Sequence, residues 1–358
     1  MLKRLPLAAV LAAFFMLLLW NVSVRQAVLF LVGIGMGAAL AGARFGFTTG
    51  WRDLVERRDP SGVVGQLLLL GLAASLSMPL LGAFPELHAA LGPPSISLLV
   101  GAFVFGLAMQ IADGCGSGTL YKAGLGVPLN MGILPLFALG SFLGSAHLDA
   151  WLSLGQWAPA DLVQQWGVGP ALGVTWLLLG AVALAVRGWV GKGKSWLESR
   201  WLWGALALGV LAALNLFIAG QPWGVVYGFG LAAAKVAHAV GAFDPAANVF
   251  WSQPGNLQRL SQSLLLDVTS ITNIGILGGA LWISARTPAS AKPLTAQQWL
   301  VGLVAGFVLG YSSRLAFGCN IGAMLSGIGT GSLHGWIWVP MAFAGTLIGI
   351  RVRRYYQF

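Results

Sequence analysis

Ten long apolar runs dominate the chain, and short polar or charged stretches separate them. Each run approaches the roughly 20 residues that an α-helix needs to cross a bilayer. We predict spans at residues 5–23, 27–43, 62–82, 96–112, 130–148, 168–187, 200–219, 263–284, 297–316 and 333–350. The pattern is that of an all-α polytopic membrane protein with about ten transmembrane helices.

Three further apolar segments, about 44–56, 114–126 and 318–330, are too short or too interrupted by glycine to cross a bilayer. A fourth segment, roughly 226–250, is ambiguous. Irregular backbone at membrane depth is tolerated only where protein buries it or where it lines a wet cavity. We therefore expect several half-inserted helices arranged around a path.

An internal repeat relates two of these segments. Residues 103–118 run parallel to residues 307–322, so that Cys115 corresponds to Cys319. If the spans alternate in direction, the two copies cross the membrane in opposite senses, as in many transporters built from inverted repeats. We divide the chain into an extra N-terminal transmembrane helix (1–24), a first inverted repeat (25–150), connecting helices (151–217) and a second inverted repeat (218–358).

Composition and charge support a membrane protein. Hydrophobic residues make up 57% of the 358 residues and charged residues only 8%, against roughly a quarter charged in soluble domains. The net charge of +10 falls in short clusters between apolar runs, which favours a positive-inside topology over nucleic-acid binding. We predict a bacterial inner-membrane protein with both termini in the cytoplasm. The clusters begin with Lys3 and Arg4 and continue at Arg52/Arg57/Arg58, Arg187/Lys192/Lys194/Arg200, Arg286/Lys292 and Arg351/Arg353/Arg354.

The chemistry centres on two cysteines, each with glycines at positions −1 and +3 before an apolar helical stretch. A helix N-terminus within a membrane attracts an anion, and a polarizable thiol suits a sulfur-bearing anion that must be held briefly. We expect both thiols to be neutral, since a thiolate would repel an anion. Without a CxxC or Cys/His pair, no metal or other cofactor is expected. The predicted path residues are Cys115, Gly114, Gly116, Cys319, Gly318 and Asn320.

Other interpretations remain open at this point. A lone buried cysteine is usually a packing residue, but two at equivalent repeat positions favour a function. A membrane-embedded sulfurtransferase or redox enzyme would use Cys115 as nucleophile, with only Asp113 and Lys122 near it as candidate bases. A scaffold would need no repeated thiols. We favour transport without catalysis. Arg44, Lys235 and Arg314 lie at the edges of apolar runs, where they either add positive potential to the path or extend toward the membrane interface.

Three stretches resemble the YeeE/YedE family of sulfur-transport membrane proteins, namely residues 44–53, 113–124 and 314–322. The resemblance implies an hourglass-shaped importer of thiosulfate or a related sulfur anion, whose cysteines hydrogen-bond the passing ion. Cys115 and Cys319 would be the central and outer cysteines. Some relatives are associated with selenium compounds, and family members often work beside a small cytoplasmic sulfur-carrier protein.

The chain departs from the family pattern at Gly46, where relatives often carry a third cysteine. The resemblance then implies that Thr48 or Thr49 donates an O–H group at the inner step, or that the substrate differs. The first helix also lies outside the usual pattern.

Overall fold

The structure is a computed structural model that describes residues 5–191, 196–285 and 293–358. These residues form α1 (Leu5–Asn21), α2 (Val24–Gly42), α3 (Phe47–Arg57), α4 (Ser61–Ala83), α5 (Ile96–Ile111), α6 (Gly116–Gly124), α7 (Pro128–Ala146), α8 (Leu148–Leu152), α9 (Leu162–Trp166), α10 (Val168–Val190), α11 (Ser199–Ala219), α12 (Val226–Ala239), α13 (Pro254–Ser261), α14 (Val268–Ser284), α15 (Ala296–Leu315), α16 (Ser326–Gly329) and α17 (Leu333–Tyr355). Short 3-10 turns cover Pro245–Ala247 and Leu264–Leu266, and a π-helix covers Asn320–Leu325.

The predicted spans are confirmed as helices. Eight helical segments of the described chain are long and apolar enough to cross a membrane, and α1 and α14 are shorter apolar helices of 17 residues each. Together they correspond to the ten predicted spans, so the chain is an all-helical, multi-pass membrane protein. Six residues of the predicted basic clusters lie outside the described residues: Lys3, Arg4, Lys192, Lys194, Arg286 and Lys292.

Glycines bring the long helices into backbone contact in pairs. A Cβ atom added at any of four glycines would overlap a carbonyl group of the facing helix, so each position requires a hydrogen in place of a side chain. Two of these contacts join α5 to α17 and two join α7 to α15. The pairs are Gly106 with Ala342, Gly345 with Phe103, Gly310 with Phe137, and Gly140 with Phe307.

The contacts between α5 and α17 are equivalent to those between α15 and α7, because each helix has a counterpart in the other repeat. Gly106 corresponds to Gly310 at an offset of 204 residues, and Gly140 to Gly345 at an offset of 205. The extra residue falls within the π-helix Asn320–Leu325, whose counterpart α6 is an ordinary α-helix. A π-helical turn accommodates one inserted residue and often occurs at functional sites.

Two further pairs of long helices follow the same exchange. Helix α2 packs along α14, and α11 packs along α4. By this packing α11 corresponds to α2 in the other half of the bundle, although it falls in the predicted connecting segment. The exact limits of the two repeats stay a prediction.

Short helices occupy the middle of this bundle, where half-inserted segments are predicted. Helix α6 is buried except at Lys122, and residues 320–329 are buried except at Gly322. Helices α3 and α12 begin within the other two predicted segments. The core of the protein therefore contains helix ends, whose first N–H groups have no partner within the helix.

Candidate functional site

Three loops leading into short helices share one backbone shape. In each, a residue with left-handed φ is followed by one further residue and then by an extended residue at the N-cap of the helix. The left-handed residues are Arg44, Asp113 and Phe317, with φ of 49°, 52° and 55°. The N-cap residues are Gly46, Cys115 and Cys319. Gly46 thus holds the backbone position that cysteine holds in the other two loops.

Cys115 caps helix α6 with its thiol. Its Sγ accepts a hydrogen bond from the Gly118 N–H at 3.4 Å and lies 3.5 Å from the Ser117 hydroxyl oxygen. The residue is only 1% exposed. The thiol therefore takes the capping role that serine or aspartate usually plays, and it lies in the interior of the bundle.

Cys319 caps the π-helix in the same manner and meets the Cys115 loop. Its Sγ accepts a hydrogen bond from the Ile321 N–H at 3.4 Å. A Cβ atom at Gly116 would lie 3.1 Å from this sulfur and 3.5 Å from Cζ of Phe137. The absence of a side chain at position 116 therefore lets the thiol approach the Cys115 loop closely. Both cysteines are free thiols.

The glycines that precede the two cysteines differ in what they provide. Gly318 has φ of 149°, a conformation that L-residues rarely adopt, and an added Cβ would lie 2.5 Å from the Ala323 nitrogen. Gly114 has no such φ, and its Cβ would meet the Thr119 nitrogen at 2.9 Å. Gly318 is therefore required by backbone conformation and close packing together, Gly114 by close packing alone.

Several buried polar atoms around these loops have no hydrogen-bond partner within the described parts of the chain. They are both amide atoms of Asn320 and the hydroxyl oxygens of Thr48 and Thr119. Because buried polar groups are normally paired, such atoms mark places where a polar ligand fits. Asn320 follows Cys319 directly, and Thr119 lies on the helix that Cys115 caps.

The Gly46 loop lies against the Cys115 helix. A Cβ atom at Gly46 would come within 3.0 Å of the Thr49 hydroxyl oxygen and 3.7 Å of the Tyr121 hydroxyl oxygen. The Thr48 carbonyl accepts a hydrogen bond from Gln110 Nε2 at 3.3 Å. The structure thus brings all three N-cap positions into one region, with α6 in contact with both the Gly46 and the Cys319 loops.

Three cations surround one carboxylate next to the Cys115 loop. Asp113 Oδ1 lies 3.0 Å from Arg52 Nη1 and 3.3 Å from Arg353 Nη1, and Oδ2 lies 2.6 Å from Lys122 Nζ. Sequence reasoning missed this cluster, because it weighed Asp113 and Lys122 only as candidate bases and assigned both arginines to topology. The signal available was a charged residue between two apolar helices, which in a membrane protein usually has a partner or a function.

The side of the bundle that carries Arg314 is organised differently. Arg314 Nε donates to Ser145 Oγ at 2.7 Å, and its guanidinium packs 5.6 Å from the Tyr227 ring centroid and 5.3 Å from that of Phe250. The Arg259 guanidinium lies 5.1 Å from the same Tyr227 centroid. Within residues 5–191, 196–285 and 293–358, neither arginine forms a salt bridge.

Helix α12 carries aromatic residues that pack toward both the arginine pair and the Cys319 loop. Phe229, two residues beyond Tyr227 on α12, packs edge-to-face on Phe137 at 5.3 Å between centroids. Phe137 in turn lies beside the position where Gly116 meets Cys319. Helix α12 therefore carries one aromatic ring beside the arginines and, two residues on, another that packs toward the Cys319 loop.

Comparison with known proteins matches the chain to the family described as "Sulphur transport" over residues 42–348. The thiosulfate transporter TsuA of Spirochaeta thermophila is 26% identical over 86% of this chain and 92% of its own length. TsuA of Escherichia coli is 22% identical over 87% of this chain and 90% of its own. A probable transporter of Escherichia coli, YedE, is 26% identical over 44% of this chain and 39% of its own.

Proposed function

This chain belongs to the sulphur transport family, and we propose that it imports thiosulfate across the bacterial inner membrane by passing the anion between the thiols of Cys319 and Cys115. One observation carries the proposal. Two buried thiols cap two short helices at equivalent positions of an internal repeat, and their loops touch at Gly116.

The chemistry of these thiols suits a sulfur anion. Each Sγ accepts an N–H from its own helix at 3.4 Å, which leaves the S–H proton free to donate to a passing ion. An S–H donor is weak, so the ion is released again, as flux requires. The first N–H groups of each helix add positive potential at the same place.

The distribution of charge supports a direction of import. Arg314 and Arg259, which have no acidic partner in the described ranges, attract a dianion to the Cys319 side. The cations on the Cys115 side carry an excess of two positive charges as well, but they already hold a carboxylate, Asp113, that competes with an arriving anion. We therefore assign capture to the Arg314 side, which faces the periplasm when both termini are cytoplasmic, and release to the Asp113 side.

The inner step runs past Gly46, which has no side chain to donate. The buried Thr48 hydroxyl, which has no partner among the described residues, supplies an O–H group in place of the family's third thiol. Released thiosulfate would then meet a small cytoplasmic sulfur-carrier protein.

The contacts of the thiols favour transport over catalysis. A sulfurtransferase needs a base in hydrogen-bond contact with its thiol, whereas Cys115 contacts the Ser117 hydroxyl and the Gly118 N–H. The Asp113 carboxylate, the nearest candidate base in sequence, is bound by three cations.

The direct test is growth on thiosulfate as sole sulfur source in a host that lacks its own uptake systems, together with uptake of radiolabelled thiosulfate into vesicles. We expect the chain to restore both. Uptake of selenite or sulfite in place of thiosulfate would reassign the substrate. A well-expressed chain that moves none of these ions would refute the transport proposal.

A further inference from the structure

The cluster around Asp113 carries more positive than negative charge. Three cationic side chains share one carboxylate, which leaves an excess of two positive charges. The three cationic side chains are 14–17% exposed and that of Asp113 is 26% exposed. In such a partly desolvated place unbalanced charge attracts a counter-ion much more strongly than at an open surface.

Two of the cations are held in place without help from the carboxylate. Lys122 Nζ donates to the backbone carbonyl of Asp113 at 2.5 Å, and Arg353 Nη1 donates to the Gln110 carbonyl at 2.9 Å. Arg52 differs, because Asp113 is its hydrogen-bond partner at 3.0 Å and no second one is found in the described chain. The cluster therefore keeps its shape when the carboxylate is neutral or displaced, while Arg52 is able to follow an incoming anion.

The cluster opens onto a cavity of about 580 Å³, lined by Asp113, Lys122, Asn130, Trp299, Arg353 and Phe358 among others. This volume holds a small oxyanion with several water molecules, since a water occupies about 30 Å³ in the liquid. Asp113 precedes Cys115 by two residues, and Lys122 lies on the helix that Cys115 caps. An anion that leaves Cys115 on this side would therefore reach the cavity next.

We propose that this cavity is a second anion site, in which Lys122 and Arg353 on its wall bind a small divalent sulfur oxyanion and Asp113 is the resident counter-anion that competes with it. Arg52 lies outside the cavity wall and adds positive charge through the shared carboxylate. The inference rests on the proposed function, because it concerns the release of the transported ion. The ion can bind only to those molecules in which the Asp113 carboxylate has moved away from the cations. The apparent affinity for the ion is therefore reduced in proportion to the fraction of such molecules. Asp113 thereby prevents the site from trapping the ion that it attracts.

Asp113→Asn tests this competition. Asparagine has nearly the same shape and tolerates the left-handed φ of 52°, so the loop is preserved while the negative charge is removed. We expect the purified full-length variant to bind thiosulfate and sulfate about tenfold more tightly in calorimetry. Its thermal stabilisation by either anion should rise in parallel. Maximal uptake in vesicles should fall, since the ion now leaves slowly.

Glu56→Gln provides a matched control. Glu56 pairs with Arg354 at 2.7 Å, one residue from Arg353, but the arginine side chain is 62% exposed. Removing this carboxylate should leave both anion binding and uptake unchanged. Equal effects of Asp113→Asn and Glu56→Gln would show that general surface charge is responsible, and would overturn the assignment.

Arg52→Gln covers the case in which Asp113→Asn fails to fold, and a double variant checks the charge balance where Asp113→Asn does fold. Arg52→Gln keeps Asp113 and should weaken sulfate and thiosulfate binding, whereas a purely structural ion pair predicts lower stability with unchanged anion affinity. The double variant Asp113→Asn/Arg353→Gln returns the net charge of the cluster to that of the wild type. Its affinity for sulfate and thiosulfate should therefore return toward the wild-type value. Unchanged affinity in both Asp113→Asn and Arg52→Gln would refute the site.

The two proposals fail in different ways. If the wild type transports thiosulfate but Asp113→Asn binds anions no more tightly, the counter-anion idea is wrong and the transport function stands. If Asp113→Asn binds dianions more tightly but neither protein moves thiosulfate, the site exists and the transport proposal is wrong.

Discussion

The loop before Cys115 and the loop before Cys319 both place a left-handed residue two positions before the cysteine, but the charges around them differ. Asp113 and Phe317 hold equivalent positions with φ of 52° and 55°, yet one is bound by three cations and the other is apolar. On the Cys319 side the nearby cation is Arg314, whose position corresponds to Gln110 in the first repeat. The comparison shows that equivalent positions of the internal repeat place both thiols at helix N-caps, while the side chains around the two caps differ.

The largest expected effect comes from removing a thiol. Cys115→Ala and Cys319→Ala should each reduce thiosulfate uptake to background, because each removes a thiol donor from the proposed path and changes little packing volume. Cys115→Ser separates two mechanisms, since partial uptake means that a polar donor suffices and no uptake means that sulfur polarizability is needed. Uptake by vesicles, normalised to purified folded protein, is the measurement. Normal transport by Cys115→Ala would exclude a role for this thiol.

The glycines before the cysteines should differ in their effect on stability. Gly318→Ala forces a Cβ into a φ of 149° and to within 2.5 Å of the Ala323 nitrogen, at an expected cost of about 1–3 kcal/mol. Gly114→Ala meets backbone at 2.9 Å with ordinary φ and should cost less. Thermal unfolding in detergent measures both. If Gly114→Ala proves equally harmful, close packing and not backbone conformation sets the requirement for glycine in both loops.

Arg314, which forms no salt bridge among the described residues, should act on substrate capture. We expect Arg314→Gln to raise KM for thiosulfate uptake about tenfold with little change in maximal rate, the pattern expected when uniform binding is lost. Arg187→Gln is a suitable control, because that cation also packs on an aromatic ring, 5.9 Å from Trp196, but on an exposed part of α10. A fall in maximal rate at constant KM would place Arg314 in a later step.

The smallest expected effect is at the third loop. Gly46 has φ of −108°, which any residue adopts, so Gly46→Cys should fold after a small shift of the Thr49 side chain. A third thiol at this N-cap should raise the uptake rate about twofold to threefold or shift substrate preference. Gly46→Ala, which adds bulk without a donor, is the control. Identical kinetics for the two variants would show that the inner step does not use this side chain.

The transmembrane spans and the positions of the two thiols could be predicted from local sequence. Bilayer thickness sets the length of an apolar run, so all ten spans were predicted near their observed limits. Cys115 and Cys319 could be paired because the same short motif occurs at a constant offset. The helix starts at both cysteines could be predicted because the glycines and the apolar stretch that define them are neighbours in the chain.

The charge cluster could not be predicted in this way. Asp113 meets Arg52 from α3 and Arg353 from α17, residues separated from it by 61 and 240 positions, and no local pattern states which cation reaches a given carboxylate. The extra residue in the second repeat could not be predicted either, because the sequence motifs around both cysteines align at a single offset of 204 residues. Only the packing of α7 on α15 and of α5 on α17 shows that one extra residue is absorbed by the π-helix.

The sequence by itself determined that the chain crosses a membrane repeatedly and that two cysteines occupy equivalent helix starts, because hydrophobic length and motif spacing act over short distances. Tertiary structure alone decided that the two loops touch at Gly116, that Asp113 is held by three cations and that Arg314 packs on aromatic rings. Each of these depends on which helices become neighbours. That choice is made by the sum of many glycine-mediated backbone contacts across the bundle.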